Sequence, residues 1–270
     1  IIALSELLRK PNLLHFKLSG VDAVSPTALA ALMGALPLGG SSLSELCINN
    51  CVPLDAAEKE TAIISNAMNL LGKALTSASA SITSVELRLP IGDQGAQVLA
   101  RALPNTTSLE SLNVSRCGIN ATGLVAIAKG LATNRSLTKL NVSLQGEQTR
   151  SNERAQESMV EFCRALQTNT KLTELNVADL PMTDAIAEQL IDSISIEACS
   201  IKSVRYSAVP SDALGTRLAN LLAEKERQIA QRKRTPPPST GNTPRKQSAS
   251  GVFSLKSASE SQIADSRILA

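Results

Sequence analysis

One pattern governs this sequence. The motif L-x-x-L-x-L, with Ile, Val, Phe or Tyr allowed at its apolar places, recurs seven times. Its copies start at Leu13, Leu43, Ile82, Leu109, Leu137, Leu172 and Ile201, at intervals of 30, 39, 27, 28, 35 and 29 residues. The second and third apolar places are Phe16/Leu18, Leu46/Ile48, Val85/Leu87, Leu112/Val114, Leu140/Val142, Leu175/Val177 and Val204/Tyr206. Alternation of this kind suits a short strand with one buried face. Helical spacing follows it, in the i, i+4 pairs Leu99 and Leu103, Ile127 and Leu131, Leu190 and Ile194, and Leu218 and Leu222. One strand and one helix of this size cannot bury their apolar faces alone. Stacked copies can, so the repetition dictates a solenoid with a continuous core.

The ninth place of each copy holds Val21, Cys51, Pro90, Cys117, Gln145, Leu180 and Val209. Cys51 and Cys117 match the Asn/Cys place of the leucine-rich repeat family, and the clearest copy is Leu109-Glu-Ser-Leu-Asn-Val-Ser-Arg-Cys117. The other five residues depart from that place. Over about residues 1–230 the chain resembles this family, and its long period resembles the ribonuclease-inhibitor-like branch. The resemblance implies an α/β leucine-rich-repeat horseshoe, with a parallel sheet on the concave face and helices on the convex face. Descending segments also match one another, from Leu103 to Leu109, Leu131 to Leu137 and Leu166 to Leu172. Asn105, Asn134 and Asn169 are expected to end their helices there, because Asn tolerates the left-handed conformation.

Two domains are expected. Residues 1–230 form the repeat domain, about seven repeats with a truncated one at the N-terminus, and residues 231–270 form a disordered, basic Pro/Ser/Thr-rich tail. The segment before Leu13 reads as the helix and descending loop of an earlier repeat without a polar outer face, so more repeats or another domain are expected before Ile1. At the other end a polar helix from about Asp212 suits a cap, and Pro236-Pro-Pro238 stops it. The two longest intervals place extra residues near Val52–Ile63 and Gln145–Gln156, both between strand and helix. They lengthen a helix or form a loop, or else build a binding rim on one edge.

The concave face is the working face that the resemblance implies. Its candidate partner-binding residues are Lys17, Glu45, Asn49, Glu86, Arg88, Asn113, Lys139, Asn141, Glu174, Asn176 and Arg205. Four bases there oppose three acids, so no strong field is expected. Asn113, Asn141 and Asn176 share one place in three successive repeats and could form an amide ladder or contact a partner. Arg88 and Arg205 are the best anchors on a face with no aromatic residue.

Other chemistry is sparse. His15 is the one histidine and has no nucleophile in an elbow motif beside it. The cysteines (47, 51, 117, 163 and 199) form no C-x-x-C pair, so reduced thiols are expected rather than a metal site or disulfide framework. No glycine-rich phosphate loop or paired-carboxylate motif occurs; no catalytic residue, cofactor, metal or small-molecule substrate is expected. No apolar run is long enough to span a membrane. The sequons at Asn105, Asn113, Asn120, Asn134 and Asn141 are read as chance products of Asn/Ser/Thr-rich repeats. Residues 231–270 carry seven Lys+Arg against two Asp+Glu, whereas the rest carries 20 against 22, a balance unlike that of a nucleic-acid-binding domain. Thr235 and Thr243, each before Pro, and Ser248, after Arg245-Lys-Gln, are phosphorylation candidates.

These features point to a non-catalytic intracellular scaffold or adaptor whose partners are other proteins. A cytoplasmic location is expected, with a cytoskeletal or ciliary setting resting on analogy. Two alternatives share the architecture. One is a Ran-type GTPase-activating protein, whose family has an acidic C-terminal segment where this one is basic. The other is the sensor arm of a larger immune-type receptor.

Overall fold

The structure, a computed structural model, describes residues 6, 8, 12–19, 24–36, 42–49, 58–146, 153–207 and 211–234. Seven strands lie side by side in sequence order in one parallel sheet. They are β1 (His15–Ser19), β2 (Glu45–Asn49), β3 (Ser84–Arg88), β4 (Ser111–Asn113), β5 (Lys139–Asn141), β6 (Glu174–Asn176) and β7 (Ser203–Arg205). Between and after them run α1 (Pro26–Gly34), α2 (Glu58–Leu75), α3 (Gly92–Ala102), α4 (Ala121–Thr133), α5 (Glu153–Thr168), α6 (Asp184–Ser195) and α7 (Asp212–Arg234). This is the stacked solenoid that the spacing dictates, with the leucine-rich-repeat architecture of parallel strands and alternating helices that the resemblance implies. Each strand brackets the second apolar residue of its motif, and Phe16, Leu46, Val85, Leu112, Leu140, Leu175 and Val204 are all buried beneath the sheet. Helix residues Leu29, Met68, Leu99, Ile127, Phe162, Leu190 and Leu218 close the core from the other side. Each fully buried side chain of this size stabilises by about 1.5–3 kcal/mol.

Polar bonds between repeats fix the stacking. Hydroxyls at the strand entrances donate to carbonyls of the preceding repeat: Ser44 to Leu14, Thr83 to Ser44, Thr138 to Glu110 and Thr173 to Thr138. The Asp93 carboxylate, in the first turn of α3, accepts the Asn120 and Gly123 N–H groups at the start of α4 (2.8 and 3.1 Å). Those N–H groups have no partner inside their own helix, and the negative charge suits the helix N-terminus. Asp184 repeats the device on the Ser211 N–H before α7. Helices α3 and α4 approach closely at Gly130, where an added Cβ would sit 2.5 Å from the Ala100 carbonyl oxygen.

The descending turns need a different reason from the one expected. Asn134 caps α4 in an extended conformation (φ −66°, ψ 142°), and none of Asn105, Asn134 and Asn169 has positive φ. Its amide is the cause. Asn134 Oδ1 accepts the Ser136 and Leu137 N–H groups, while Nδ2 donates to the Leu103 carbonyl at 2.6 Å and to Thr106 Oγ1. Asn169 does the same one repeat on, accepting from Lys171 and Leu172 and donating to the Leu131 and Asn134 carbonyls. In the repeat before, this buried place belongs to Thr106; Asn105 is exposed and closes a 3-10 turn.

Of the two extra segments, residues from Glu58 and from Glu153 onward extend α2 and α5, Gln145 and Gly146 follow the β5 strand, and the remainder lies outside the described residues. Of the segment before Leu13, Glu6, Leu8 and Asn12 are described, and Leu8 is fully buried in the core. Helix α7 carries the chain to Arg234. The phosphorylation candidates Thr235, Thr243 and Ser248 lie outside the described residues.

Candidate functional site

The outward residues of the parallel strands line up in rows across the sheet. One row runs Lys17, Cys47, Glu86, Asn113, Asn141, Asn176 and Arg205; beside it runs His15, Glu45, Ser84, Ser111, Lys139, Glu174 and Ser203. Every candidate named from the sequence lies on this face or at its edge.

Over β1 to β3 the polar groups engage one another. His15 Nδ1 lies 2.9 Å from Glu45 Oε2. Asn49 Nδ2 donates to Glu86 Oε1 at 2.8 Å and to Cys47 Sγ, and the same Glu86 oxygen holds Arg88 Nη2 at 3.4 Å. Asn49 is thereby buried, at 9% exposure. Arg88 is tied to its own strand and is no free anchor.

Over β4 to β6 the central residue is asparagine, and its side chain reshapes the strand. Asn113 Oδ1 accepts the Ser115 N–H, Asn141 Oδ1 accepts both the N–H and the hydroxyl of Ser143, and Asn176 Oδ1 accepts the Ala178 N–H. These are Asx turns, which offer the backbone an alternative to the sheet ladder. The regular strand stops there after three residues, whereas β1 to β3 have five. One residue further on the chain turns left-handed, at Arg116, Leu144 and Asp179 (φ 57°, 59° and 71°). Ser115 and Ser143, which strict alternation along the strand would put on the open face, are drawn in and buried.

The amide nitrogens have the opposite fate. Among the described residues, Nδ2 of Asn113, Asn141 and Asn176 donates to no group, and these side chains are not bonded to each other as a ladder. Arg205, at the end of the row, is exposed and takes part in no ion pair there. Lys139 and Glu174 pair at 2.9 Å, both more than half exposed, which contributes little stability. Together these residues line a shallow groove of about 250 Å³ on the sheet.

Two buried groups were illegible as a supporting layer. Gln145, a departure from the Asn/Cys place, does that residue's work: Oε1 accepts the Cys117 and Ile119 N–H groups, and Nε2 donates to the Val114, Val142 and Ser143 carbonyls. Cys117, in the same place one repeat earlier, donates its thiol to the Leu87 carbonyl. Burial pushes the Cys117 thiol up to about 12, and Cys163 likewise; Cys199 is raised for the same reason. These thiols stay protonated at neutral pH and are poor nucleophiles. Cys51 lies outside the described residues.

Among the described residues no cluster of three His, Cys, Asp or Glu side chains could hold a metal, and no helix is long and apolar enough to cross a membrane. A family model described as Leucine Rich repeat matches residues 105–128, from the turn before β4 into α4. Among solved structures the chain is similar to leiomodin-1 actin-binding site 2, at 14% identity over 86% of this chain and 92% of that one, with a TM-score of 0.42. It is also similar to the tropomodulin C-terminal domain of Caenorhabditis elegans, at 12% identity over 86% and 96%, with a TM-score of 0.42. No curated protein matches the chain.

Proposed function

We propose that this chain is a non-catalytic interaction module that holds another protein against the concave face of its sheet. The observation that carries the reading is the groove over β4 to β7. The repeat core presents there the NH₂ groups of Asn113, Asn141 and Asn176 and the Arg205 guanidinium, which pair with no group among the described residues. The raised thiols, and a histidine occupied by an exposed glutamate, support a binding role over a catalytic one. The long repeat period with one helix per repeat supports the ribonuclease-inhibitor-like branch, and reduced thiols support a cytoplasmic setting. The basic segment beyond Arg234, with Thr235, Thr243 and Ser248, is a regulatory element in this reading.

Ser111 lines the groove, and Ser111→Arg would fill it without touching the core. Affinity capture from cells, with the full chain, the Ser111→Arg variant and a deletion of residues 235–270 side by side, tests the proposal. Loss of the main partner on Ser111→Arg and its retention on deletion is the expected result. The reverse pattern would move recognition to the tail and make the solenoid a spacer.

A further inference from the structure

The row Asn113, Asn141, Asn176 and Arg205 has a chemical polarity that the charge count hides. Each asparagine turns its oxygen back to a backbone N–H two residues on, which leaves its NH₂ group outward and unbonded among the described residues. A guanidinium has donors and no acceptor. The row is therefore donors throughout, four abreast, while the neighbouring Lys139 and Glu174 neutralise each other. What fits it is a row of acceptors, and with Arg205 left unpaired, anionic ones.

Spacing narrows the class further. Adjacent strands lie about 4.8 Å apart, and that spacing separates the residues that carry the donors, the Arg205 side chain being the longest of them. A carboxylate, with its two oxygens roughly 2.2 Å apart and each about 2.9 Å from a donor nitrogen, spans such a pair. One carboxylate bridging Asn113 and Asn141 and a second bridging Asn176 and Arg205 would sit two strand spacings apart, roughly 10 Å. On a helix, residues i and i+7 share a face at about 10.5 Å. On an extended chain, same-face residues recur at about 6.8 and 13.6 Å, and neither matches. A phosphate backbone would need several cations, and the row holds one.

We infer that this row receives an acidic helix of a partner protein, lying across the strands with carboxylates at i and i+7. The inference rests on the concave-face reading above and names its partner's chemistry. The chain's own segment after Arg234, with four bases and two acids over residues 235–270, is the wrong sign for the site.

The probe is a helical Ala/Gln peptide with Glu at i and i+7, titrated into the full chain while the side-chain amide resonances of the three asparagines are followed by NMR. Controls carry Gln or Lys at both places, and an oligothymidine stands for nucleic acid. The Glu peptide should shift all three amides and the controls should not. Asn141→Asp with Asn176→Asp should weaken binding by about tenfold or more. The melt should hold, because an aspartate oxygen still accepts the Ser143 and Ala178 N–H groups. Equal binding of the Gln, Lys or nucleic-acid probe, no shift with the Glu peptide, or full affinity in the double variant would each overturn the inference. If Ser111→Arg still loses the cellular partner in those cases, the concave-face reading stands without it. If Ser111→Arg keeps every partner and the Glu peptide gives no shift, both fall.

Discussion

The two halves of the sheet are built from one repeat and treat their surfaces in opposite ways. Over β1 to β3 the central outward residue is Lys17, Cys47 or Glu86; strands run five residues, and Asn49, Glu86 and Arg88 close on each other. Over β4 to β6 it is Asn, strands stop at three residues, and donors face outward. Over β4 to β6 the asparagine goes with a left-handed turn and an outward amide; the three-residue strand is shared by β7, where Arg205 holds that place. Asparagine's carbonyl is short enough to reach its own chain two residues on, and the bond leaves its NH₂ behind. The glutamate at the same place in β3 accepts from Asn49 of the preceding strand and pairs with Arg88 of its own, and so satisfies the surface instead.

The sharpest way to break this contrast is to destroy both halves from beneath. Leu112 is buried in β4, between Val85 of β3 and Leu140 of β5, at the seam. Leu112→Asp would bury an unpaired charge at a cost of about 3–5 kcal/mol and unfold the repeats on either side. A circular-dichroism melt should show a lower or split transition, and an unchanged melt would refute the repeat register. Gln145→Ala should act on the C-terminal half. It leaves two N–H groups and three carbonyls without their buried partner, for about 2–4 kcal/mol, and hydrogen exchange should rise at Cys117 and Ile119 before it rises in β1 to β3. Leu89→Asn, at a fully buried side chain just after β3, should cost about as much, here through loss of apolar burial and an amide without partners.

A smaller effect separates the two arginines. Arg205→Ala should weaken partner binding by about tenfold, since its charge faces the groove unpaired. Arg88→Ala should leave affinity within about twofold, because that guanidinium already serves Glu86. Isothermal titration against the partner that Ser111→Arg loses would read both. Equal losses would extend the site over the whole sheet and erase the distinction between its halves.

How far the sequence revealed this follows from what each residue signals. Every strand lies where L-x-x-L-x-L places it, because burial of alternate leucines admits one register. Gln145 read as a departure because the repeat pattern records residue types, and the longer amide supplies the same bonds from a different one. Asn105 misled for the converse reason. It is the visible asparagine, yet three residues on from Leu103 stands Thr106, which occupies the buried place of Asn134 and Asn169. The three left-handed turns were illegible because Arg116, Leu144 and Asp179 are not the glycines that mark positive φ. For the same reason Ser115 and Ser143 were assigned to the open face by simple alternation, which fails once the chain turns.

The finest separation of the halves lies in the eighth place of the repeat, which holds Leu89 in one and Leu144 in the other. Leu89 is buried with φ negative, whereas Leu144 is 38% exposed with φ at 59°. A left-handed backbone costs an ordinary residue about 1–2 kcal/mol, and asparagine pays less of it through local hydrogen bonding. Leu144→Asn exchanges some apolar burial for that relief, so it should be neutral or stabilising by up to about 0.5 kcal/mol. Leu144→Ile adds a branched Cβ to the same turn and should lower stability by about 1 kcal/mol. Thermal melts of the two variants therefore move in opposite directions or differ by a few degrees in that order. If Leu144→Ile melts no lower than Leu144→Asn, the left-handed backbone at Leu144 carries no strain, and the contrast with Leu89 has no energetic basis at this place.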